Sequence, residues 1–236
     1  MLSRSQQKLL RKLSSKKYRQ QYGLFVAEGR KVVAELLAEG LKPEWLAAIP
    51  QSEFAKQAIE VTEQELKELT NLEKADEVIG VFALPQVQVK DSKLKVVLDG
   101  IKDPGNLGTI IRTCDWFGVQ EVYCTIGTTD IYNPKTVQST MGSIARVRVN
   151  YLSNDDIFRA LNTDEAELIC ADMEGTQLKD FSTNRNVALV MGSESHGPSA
   201  FWKERCTGVT IPRKGNSKTE SLNVGVAAGI FLEALS

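Results

Sequence analysis

The most informative stretch of the sequence lies near its C-terminus, where residues 211–232 read IPRKGNSKTESLNVGVAAGIFL. A short strand pattern stops at Pro212, a polar loop follows, and a helical pattern begins near Ser221. Glycine and alanine are frequent in this helix although glycine lowers helix propensity, which indicates close packing against other backbone. Ser221 and Asn223 place polar groups at the helix start, where ligands often bind; simple capping by Ser221 is the alternative.

A glycine-containing loop follows a buried strand pattern in residues 187–199, which read VALVMGSESHGPS. Gly192 permits a close approach of the backbone to a ligand. The loop matches neither the dinucleotide fingerprint G-x-G-x-x-G nor a P-loop. Glu194 is either an ordinary surface carboxylate or a functional one. His196 is either a turn residue or a participant in the chemistry, because histidine changes its charge near neutral pH.

A turn followed by a helix is predicted in residues 103–118, which read DPGNLGTIIRTCDWFG. The run Asp-Pro-Gly is typical of a turn, and Asn106 is a suitable N-cap for the helix. Arg112 falls off the apolar stripe of that helix. It either pairs with Asp115 on a solvated face or points at a nucleotide phosphate or ribose.

Strand and helix patterns alternate from residue 94 onward. Strands are predicted at 96–99, 121–124, 147–151, 168–172, 187–191 and 208–211, and helices near 106–117, 134–142, 154–162, 199–205 and 221–235. This alternation predicts an α/β fold with a mostly parallel sheet that helices cover on both faces. In such sheets ligands bind outside the carboxyl ends of the strands.

The first third of the chain is predicted to form a separate domain. Residues 85–93 are polar and open with proline, so we read them as a linker between domains at 1–88 and 94–236. The run T-x-x-E at 62–65 predicts a capping box in the first domain. Residues 1–31 carry nine basic side chains and one acidic side chain. This basic arm either contacts RNA phosphates or is an ordinary solvated helix. Its candidate RNA-binding residues are Lys16, Lys17, Arg19 and Arg30.

The composition excludes several other classes of protein. The formal net charge of −1 is not that of a strong nucleic-acid binder overall, so the distribution of charge matters more than its sum. The four cysteines form no C-x-x-C pair and there is one histidine, so we expect reduced, packed thiols and no metal site. No apolar run approaches the roughly 18 residues that span a membrane, and a cytoplasmic location is expected.

Together the three blocks resemble the three motifs of the SpoU family of RNA methyltransferases, within the SPOUT or TrmH-like superfamily. The order of the blocks, their spacing and the run Ser-Leu-Asn-Val at 221–224 carry this resemblance, which covers about residues 94–236. The first third resembles the small α/β ribosomal-protein-like RNA-binding domain that precedes the catalytic domain in many members. Its clearest piece is the run Phe-Val-Ala-Glu-Gly at 25–29.

The resemblance implies a fold and an activity. The fold is an α/β domain with a trefoil knot that works as a homodimer, and the activity is methyl transfer from S-adenosylmethionine to a ribose 2′-hydroxyl of RNA. Similarity places three residues around the cofactor, namely Gly192, Ile211 and Leu222. It places five in the catalytic neighbourhood, namely Asn106, Arg112, Glu194, Ser221 and Asn223. In the family picture Arg112 receives or steers the hydroxyl proton; because a guanidinium is normally protonated, polarising the hydroxyl or anchoring a phosphate is the alternative.

The sequence departs from the family pattern in two loops. Ser195 stands where glycine usually follows the glutamate, and the loop at 213–220 is longer than usual and opens with Pro-Arg instead of Pro-Met. These changes leave the loop conformation and the cofactor affinity open. By analogy with the family, the extra N-terminal domain favours ribosomal RNA as the substrate.

Three other functions are alternatives to ribosomal RNA methylation. Transfer RNA is a second possible substrate, and a non-catalytic RNA-binding member of the fold is a further reading that Ser195 and the altered third loop favour. A nucleotide-dependent oxidoreductase on a doubly wound sheet is the last. Against it, the glycine fingerprint is absent after the strand at 96–99, and the block at 103–118 has no role there.

Overall fold

The structure is a computed structural model that describes residues 2–72, 75–89, 92–163, 165–216 and 218–236. The chain forms two compact units, one of residues 1–87 with 130–146 and one of residues 88–129 with 147–236. The helices, in chain order, are α1 (Arg4–Leu13), α2 (Lys16–Tyr22), α3 (Arg30–Ala38), α4 (Glu63–Leu69), α5 (Pro104–Trp116), α6 (Pro134–Thr140), α7 (Asn154–Thr163), α8 (Ala200–Lys203) and α9 (Val224–Leu235).

The N-terminal unit is built on a four-stranded sheet. Its strands are β1 (Leu24–Glu28), β2 (Pro43–Ala48), β3 (Ile59–Glu60) and β4 (Val78–Ala83). They lie in the order β1-β4-β2-β3, with β4 antiparallel to both of its neighbours and β3 parallel to β2. The predicted capping box starts α4, because the Thr62 side chain accepts from the amide of Glu65 and the Glu65 side chain accepts from the amide of Thr62. The sequence patterns missed α2, β2 and β3; of these, β3 has only two residues and lies at the sheet edge.

Residues 130–146 come later in the chain but belong to the N-terminal unit. Arg19 and Asp130 form an ion pair at 2.6 Å, and the rings of Phe25 and Tyr132 lie 5.3 Å apart. Burial raises the pKa of Tyr132 to about 12. The predicted division at 1–88 and 94–236 differs from the structure by this segment, since a sequence pattern does not tell which sheet a helix covers.

The C-terminal unit is built on a six-stranded sheet. Its strands are β5 (Leu94–Asp99), β6 (Glu121–Thr125), β7 (Arg148–Leu152), β8 (Glu167–Gln177), β9 (Val187–Gly192) and β10 (Thr207–Thr210). They lie in the order β10-β8-β9-β5-β6-β7, and every described pairing is parallel. Every residue of β5 and β9 is buried, so both faces at the centre of the sheet are covered. The predicted α/β fold with a parallel sheet is confirmed.

Two predicted helix starts are wrong by a few residues. The N-cap of α5 is Asp103 rather than Asn106, because Pro104 takes the first helical position, where its missing N–H costs nothing. The N-cap of α9 is Asn223, so Ser221 lies in the loop before the helix and does not cap it. Both corrections matter, because they leave the side chains of Asn106 and Ser221 available for other contacts.

Helices α5 and α9 pack closely against each other. A Cβ atom added to Gly225 would lie 3.2 Å from Cγ2 of Thr109, and one added to Gly229 would lie 3.9 Å from Cγ2 of Thr113. The prediction that small residues of the C-terminal helix serve close packing is therefore confirmed at Gly225, whereas the contact at Gly229 is an ordinary one.

The cysteines lie inside the fold. Cys114, Cys124 and Cys170 are buried and Cys206 is partly buried, all as free thiols. Burial raises the pKa of the Cys114 and Cys124 thiols well above the ordinary value, so both stay protonated and unreactive. Within the described ranges, no helix is long and apolar enough to cross a membrane.

Candidate active site

A cavity of about 690 Å³ opens in the C-terminal unit. Its volume lies within the roughly 300–1,000 Å³ of small-molecule sites. Apolar side chains form much of its wall, among them Met191, Ile211, Leu222, Val224 and Phe231. Charged side chains also reach it, namely Asp172, Lys203, Arg213 and Lys214. All three residues predicted to surround a cofactor, and the predicted catalytic Ser221, line this one cavity.

An irregularity of β8 supplies one wall of the cavity. Cys170 pairs with Gly208 of β10, but the next pair joins Thr176 to Val209, so residues 171–175 leave the ladder. Asp172 and Met173 in this segment line the cavity, and Asp172 forms an ion pair with Lys203 at 3.2 Å. The sequence reading ended this strand at Asp172 and missed these wall residues. Gly175 lies inside β8 in the structure, and a glycine within a strand often marks a bulge.

The loop after β9 supplies a second wall and is folded tightly. Ser193 and Gly197 exchange two backbone hydrogen bonds, at 3.2 and 2.9 Å. The amide of Ser199 donates to the buried carboxylate of Asp99 at 2.7 Å, which ties the loop to the end of β5. A Cβ atom on Gly192 would lie 1.9 Å from backbone atoms of Gly197 and Pro198, so only glycine fits.

The two departures from the family pattern lie beside the cavity. The Ser195 hydroxyl and Nδ1 of His196 are hydrogen-bonded at 2.6 Å, and both residues line the wall. Arg213 donates through Nη2 to the carbonyl of Glu220 at 2.6 Å, which joins the two ends of the longer loop. Ser217, within that loop, lies outside the described residues. The arginine that replaces the usual methionine therefore has a local role in closing the loop.

Three predicted catalytic residues meet in one hydrogen-bonded network. Nδ2 of Asn106 donates to Oε1 of Glu194 at 2.9 Å, and Nδ2 of Asn223 donates to Oδ1 of Asn106 at 3.0 Å. Oδ1 of Asn223 accepts from the amides of Gly225 and Val226, which caps α9. Both ends of the Asn106 amide are thus held, so its orientation is fixed. The structure gathers these residues although 88 and 117 positions separate the pairs.

Arg112 is not part of this network. Its side chain is exposed on α5 and forms no hydrogen bond or ion pair with any residue that the structure describes. The functional role of Arg112 therefore stays a prediction. Ser221, the fifth predicted residue, lines the cavity two positions before Asn223.

Removing the Asn223 cap is expected to destabilise α9. Asn223→Ala should lower the free energy of unfolding by about 1 kcal/mol, because two helix amides lose their acceptor. Asn223→Asp should unfold near the wild-type temperature, because aspartate caps a helix equally well. Thermal unfolding followed by circular dichroism measures both. Equal losses for alanine and aspartate would show that the bond to Asn106, and not the cap, stabilises the helix.

The residues predicted to bind RNA fall into two groups. Lys16 and Lys17 are exposed at the start of α2. Arg19 is a correction: it is 3% exposed, pairs with Asp130 and donates to the carbonyls of Leu13 and Ser14, so its guanidinium is used inside the fold. Arg30 is exposed but pairs with Glu53 at 2.5 Å. Within the described ranges, no cluster of histidine, cysteine or acidic residues could hold a metal ion.

Comparison with known families agrees with this arrangement. The model of the SpoU rRNA methylase family matches residues 93–233. The chain belongs to that family. A second model, the MRM3-like substrate binding domain, matches residues 5–80, which lie in the N-terminal unit.

Relatives of this SpoU methylase resemble it over nearly its whole length. The 23S rRNA (guanosine(2553)-2′-O)-methyltransferase of Bacillus subtilis is 32% identical, over 94% of this chain and 92% of its own. A solved rRNA methyltransferase of Sinorhizobium meliloti with AdoMet bound is 29% identical, with a TM-score of 0.85 and coverage of 99% and 95%. A SpoU methyltransferase of Streptomyces viridochromogenes, 24% identical, has a TM-score of 0.86 over 98% of this chain and 97% of its own, and supports the fold alone.

Proposed function

We propose that this protein transfers the methyl group of S-adenosylmethionine to a ribose 2′-hydroxyl of ribosomal RNA. The observation that carries the proposal is that the cavity adjoins the amide–carboxylate network. Gly192 and Ser195 line the cavity on either side of Glu194, and Leu222 lines it directly before Asn223. The names of the Bacillus subtilis and Sinorhizobium meliloti relatives support the reaction, the substrate class and the cofactor.

The cavity fits the chemistry of the cofactor. Its apolar wall suits an adenine ring, and Gly192, Ile211 and Leu222 would hold the nucleoside. Asp172 and Lys203 present opposite charges to the same cavity, which match the ammonium and carboxylate of an amino-acid group. When bound, S-adenosylmethionine supplies a methyl group that is already activated, so positioning is the main task of the protein.

The hydrogen-bonded network and Arg112 both contribute to positioning the substrate. Asn106, held between Glu194 and Asn223, offers a fixed polar surface beside the cavity. Arg112 has a guanidinium without an internal partner among the described residues, and it polarises the 2′-hydroxyl or anchors a neighbouring phosphate. Ser221 brings a hydroxyl to the rim of the cavity. Because a guanidinium stays protonated at physiological pH, these two roles suit Arg112 better than that of a base.

We propose further that the protein is a homodimer, located in the cytoplasm, whose C-terminal chain forms a trefoil knot. Helices α5 and α9 expose Trp116, Val226 and Ile230 by 84%, 54% and 38%. Apolar exposure on two packed helices is typical of a surface that a second copy covers. The knot is what membership of the SpoU family implies. Sedimentation velocity tests the dimer, for which twice the chain mass of 26.1 kDa is expected.

Transfer of tritium from labelled S-adenosylmethionine tests the function directly. Unmethylated ribosomal RNA should accept label in the presence of the protein, and the same sequence as DNA should not, because DNA lacks the 2′-hydroxyl. Mapping 2′-O-methyl groups in RNA from cells with and without the protein identifies the nucleotide. Label that enters only transfer RNA favours the alternative substrate. Binding of RNA without any transfer favours the non-catalytic reading.

A further inference from the structure

We infer that a basic groove along α1 holds the phosphate backbone of the RNA substrate; this rests on the proposed function. The groove lies in the N-terminal unit and has a volume of about 670 Å³. It is lined by Arg4, Gln7, Lys8, Arg11, Lys12, Ser14, Ser15 and Tyr18. Its four basic residues belong to the basic arm predicted from the sequence, but none of them was among the four candidates named there.

The charge of the groove is uncompensated within its own segment. Residues 1–27 contain no aspartate or glutamate, and none of the described residues that line the groove is acidic. Arg4 and Lys8, and then Lys8 and Lys12, follow each other at a spacing of four in α1, where like charges repel. Arg4 also stands at the positive end of the helix dipole, with no acid in the first turn. This repulsion destabilises the free protein, and a bound polyanion would offset it.

Two tyrosines hold one lysine of the groove in place. Nζ of Lys12 donates to the Tyr22 hydroxyl at 3.2 Å and lies 5.1 Å from the centre of the Tyr18 ring. The two rings are stacked, with centroids 6.2 Å apart and planes at 17°. A lysine on a flexible stem loses entropy when it meets a phosphate, and a side chain held in advance loses less. Lys12 is therefore the residue of the groove that is best prepared to meet an anion.

The other basic residues nearby are used differently. Arg19 is buried, pairs with Asp130 and donates to the end of α1, so it does not line the groove. Arg30 has Glu53 and Glu77 within ion-pair distance. Among the described residues, the four cations of the groove have no acidic partner, whereas Arg19 and Arg30 are paired. Ser15 also lines the groove, and its hydroxyl is a donor suited to a phosphate oxygen.

Charge reversal in the groove tests the inference with an RNA of uniform sequence, for which contacts to the phosphate backbone are expected to dominate binding. The probe is fluorescein-labelled polyuridylate, titrated by anisotropy at several salt concentrations. The variant Lys8→Glu/Arg11→Glu should weaken binding tenfold or more, and the slope of log affinity against log salt should fall by about 1.4, for two lost single-strand phosphate contacts. The matched control is Lys56→Glu/Lys67→Glu, which changes two exposed lysines of the same unit outside the groove by the same charge. It should bind nearly as the wild type does.

Two further measurements separate the possible results. Calorimetry with S-adenosylmethionine should give the wild-type affinity for both double variants, and thermal unfolding should show no loss of stability in the groove variant, since it relieves repulsion. Tyr22→Phe, which removes only the bond to Lys12, should weaken RNA binding a few-fold. If the groove variant binds polyuridylate as tightly as the control does, the groove is not an RNA site, even where the wild type methylates RNA. If the groove variant binds polyuridylate more weakly than the control but the wild type transfers no methyl group, the groove is an RNA site and the proposed function is wrong.

Discussion

Arg112→Ala should reduce the rate of methyl transfer by about 10²–10³-fold and leave the affinity for S-adenosylmethionine unchanged. The side chain is exposed, has no partner among the described residues and does not line the cavity, so its loss removes no contact that holds the fold or the cofactor site. Its effect should appear only where charge develops on the 2′-hydroxyl or where a phosphate must be held. Single-turnover transfer and calorimetry measure the two quantities separately.

Two further variants sharpen the assignment of Arg112. Arg112→Lys keeps the charge but loses the planar fork, so partial activity indicates electrostatic polarisation and full loss indicates a two-point contact. Arg159→Ala removes an arginine from the exposed face of α7, where it pairs with Asp156, and should leave the rate unchanged. A parallel decline in cofactor affinity and rate for Arg112→Ala would contradict the assignment, because it would make the residue part of the cofactor site.

Local chemistry made much of the fold predictable. Strands β5 and β9 are apolar runs that end at charged or glycine residues, and both lie where the pattern predicts them. The capping box at Thr62 and Glu65 was equally clear, because its hydrogen bonds join residues three positions apart. The start of α5 was missed by a few residues because two good capping residues, Asp103 and Asn106, compete there. The proline between them resolves the competition.

Contacts between distant parts of the chain were not predictable in this way. The pattern does not show that residues 130–146 belong to the N-terminal unit, because α6 has a single large apolar residue, Val137, and two of its three buried residues are threonines. Nor does it show the departure of residues 171–175 from the β8 ladder, which brings Asp172 to the cavity. The network of Asn106, Glu194 and Asn223 was named only through the family resemblance. Its geometry requires the starts of α5 and α9 to meet the loop after β9.

Gly192→Ala should abolish cofactor binding and destabilise the C-terminal unit. The added methyl group would lie 1.9 Å from the carbonyl carbon of Gly197 and from the nitrogen of Pro198, and these backbone atoms cannot rotate away as a side chain can. The loop from 193 to 198 must therefore move, and it lines the cavity through Ser195, His196 and Pro198. Overpacking of this kind costs about 1–3 kcal/mol, or roughly 2–12 °C in Tm for a chain of this size.

A glycine elsewhere in the same unit provides the control for Gly192→Ala. Gly118 has a positive φ of 74° and nothing within 4 Å of an added Cβ atom, so Gly118→Ala introduces backbone strain without a clash. It should cost about 1–2 kcal/mol and leave cofactor affinity unchanged. The decisive quantity is the affinity measured by calorimetry well below the unfolding temperature. Wild-type affinity in Gly192→Ala would mean that the loop can move without changing the cavity, and that the tight turn after β9 serves the fold rather than the site.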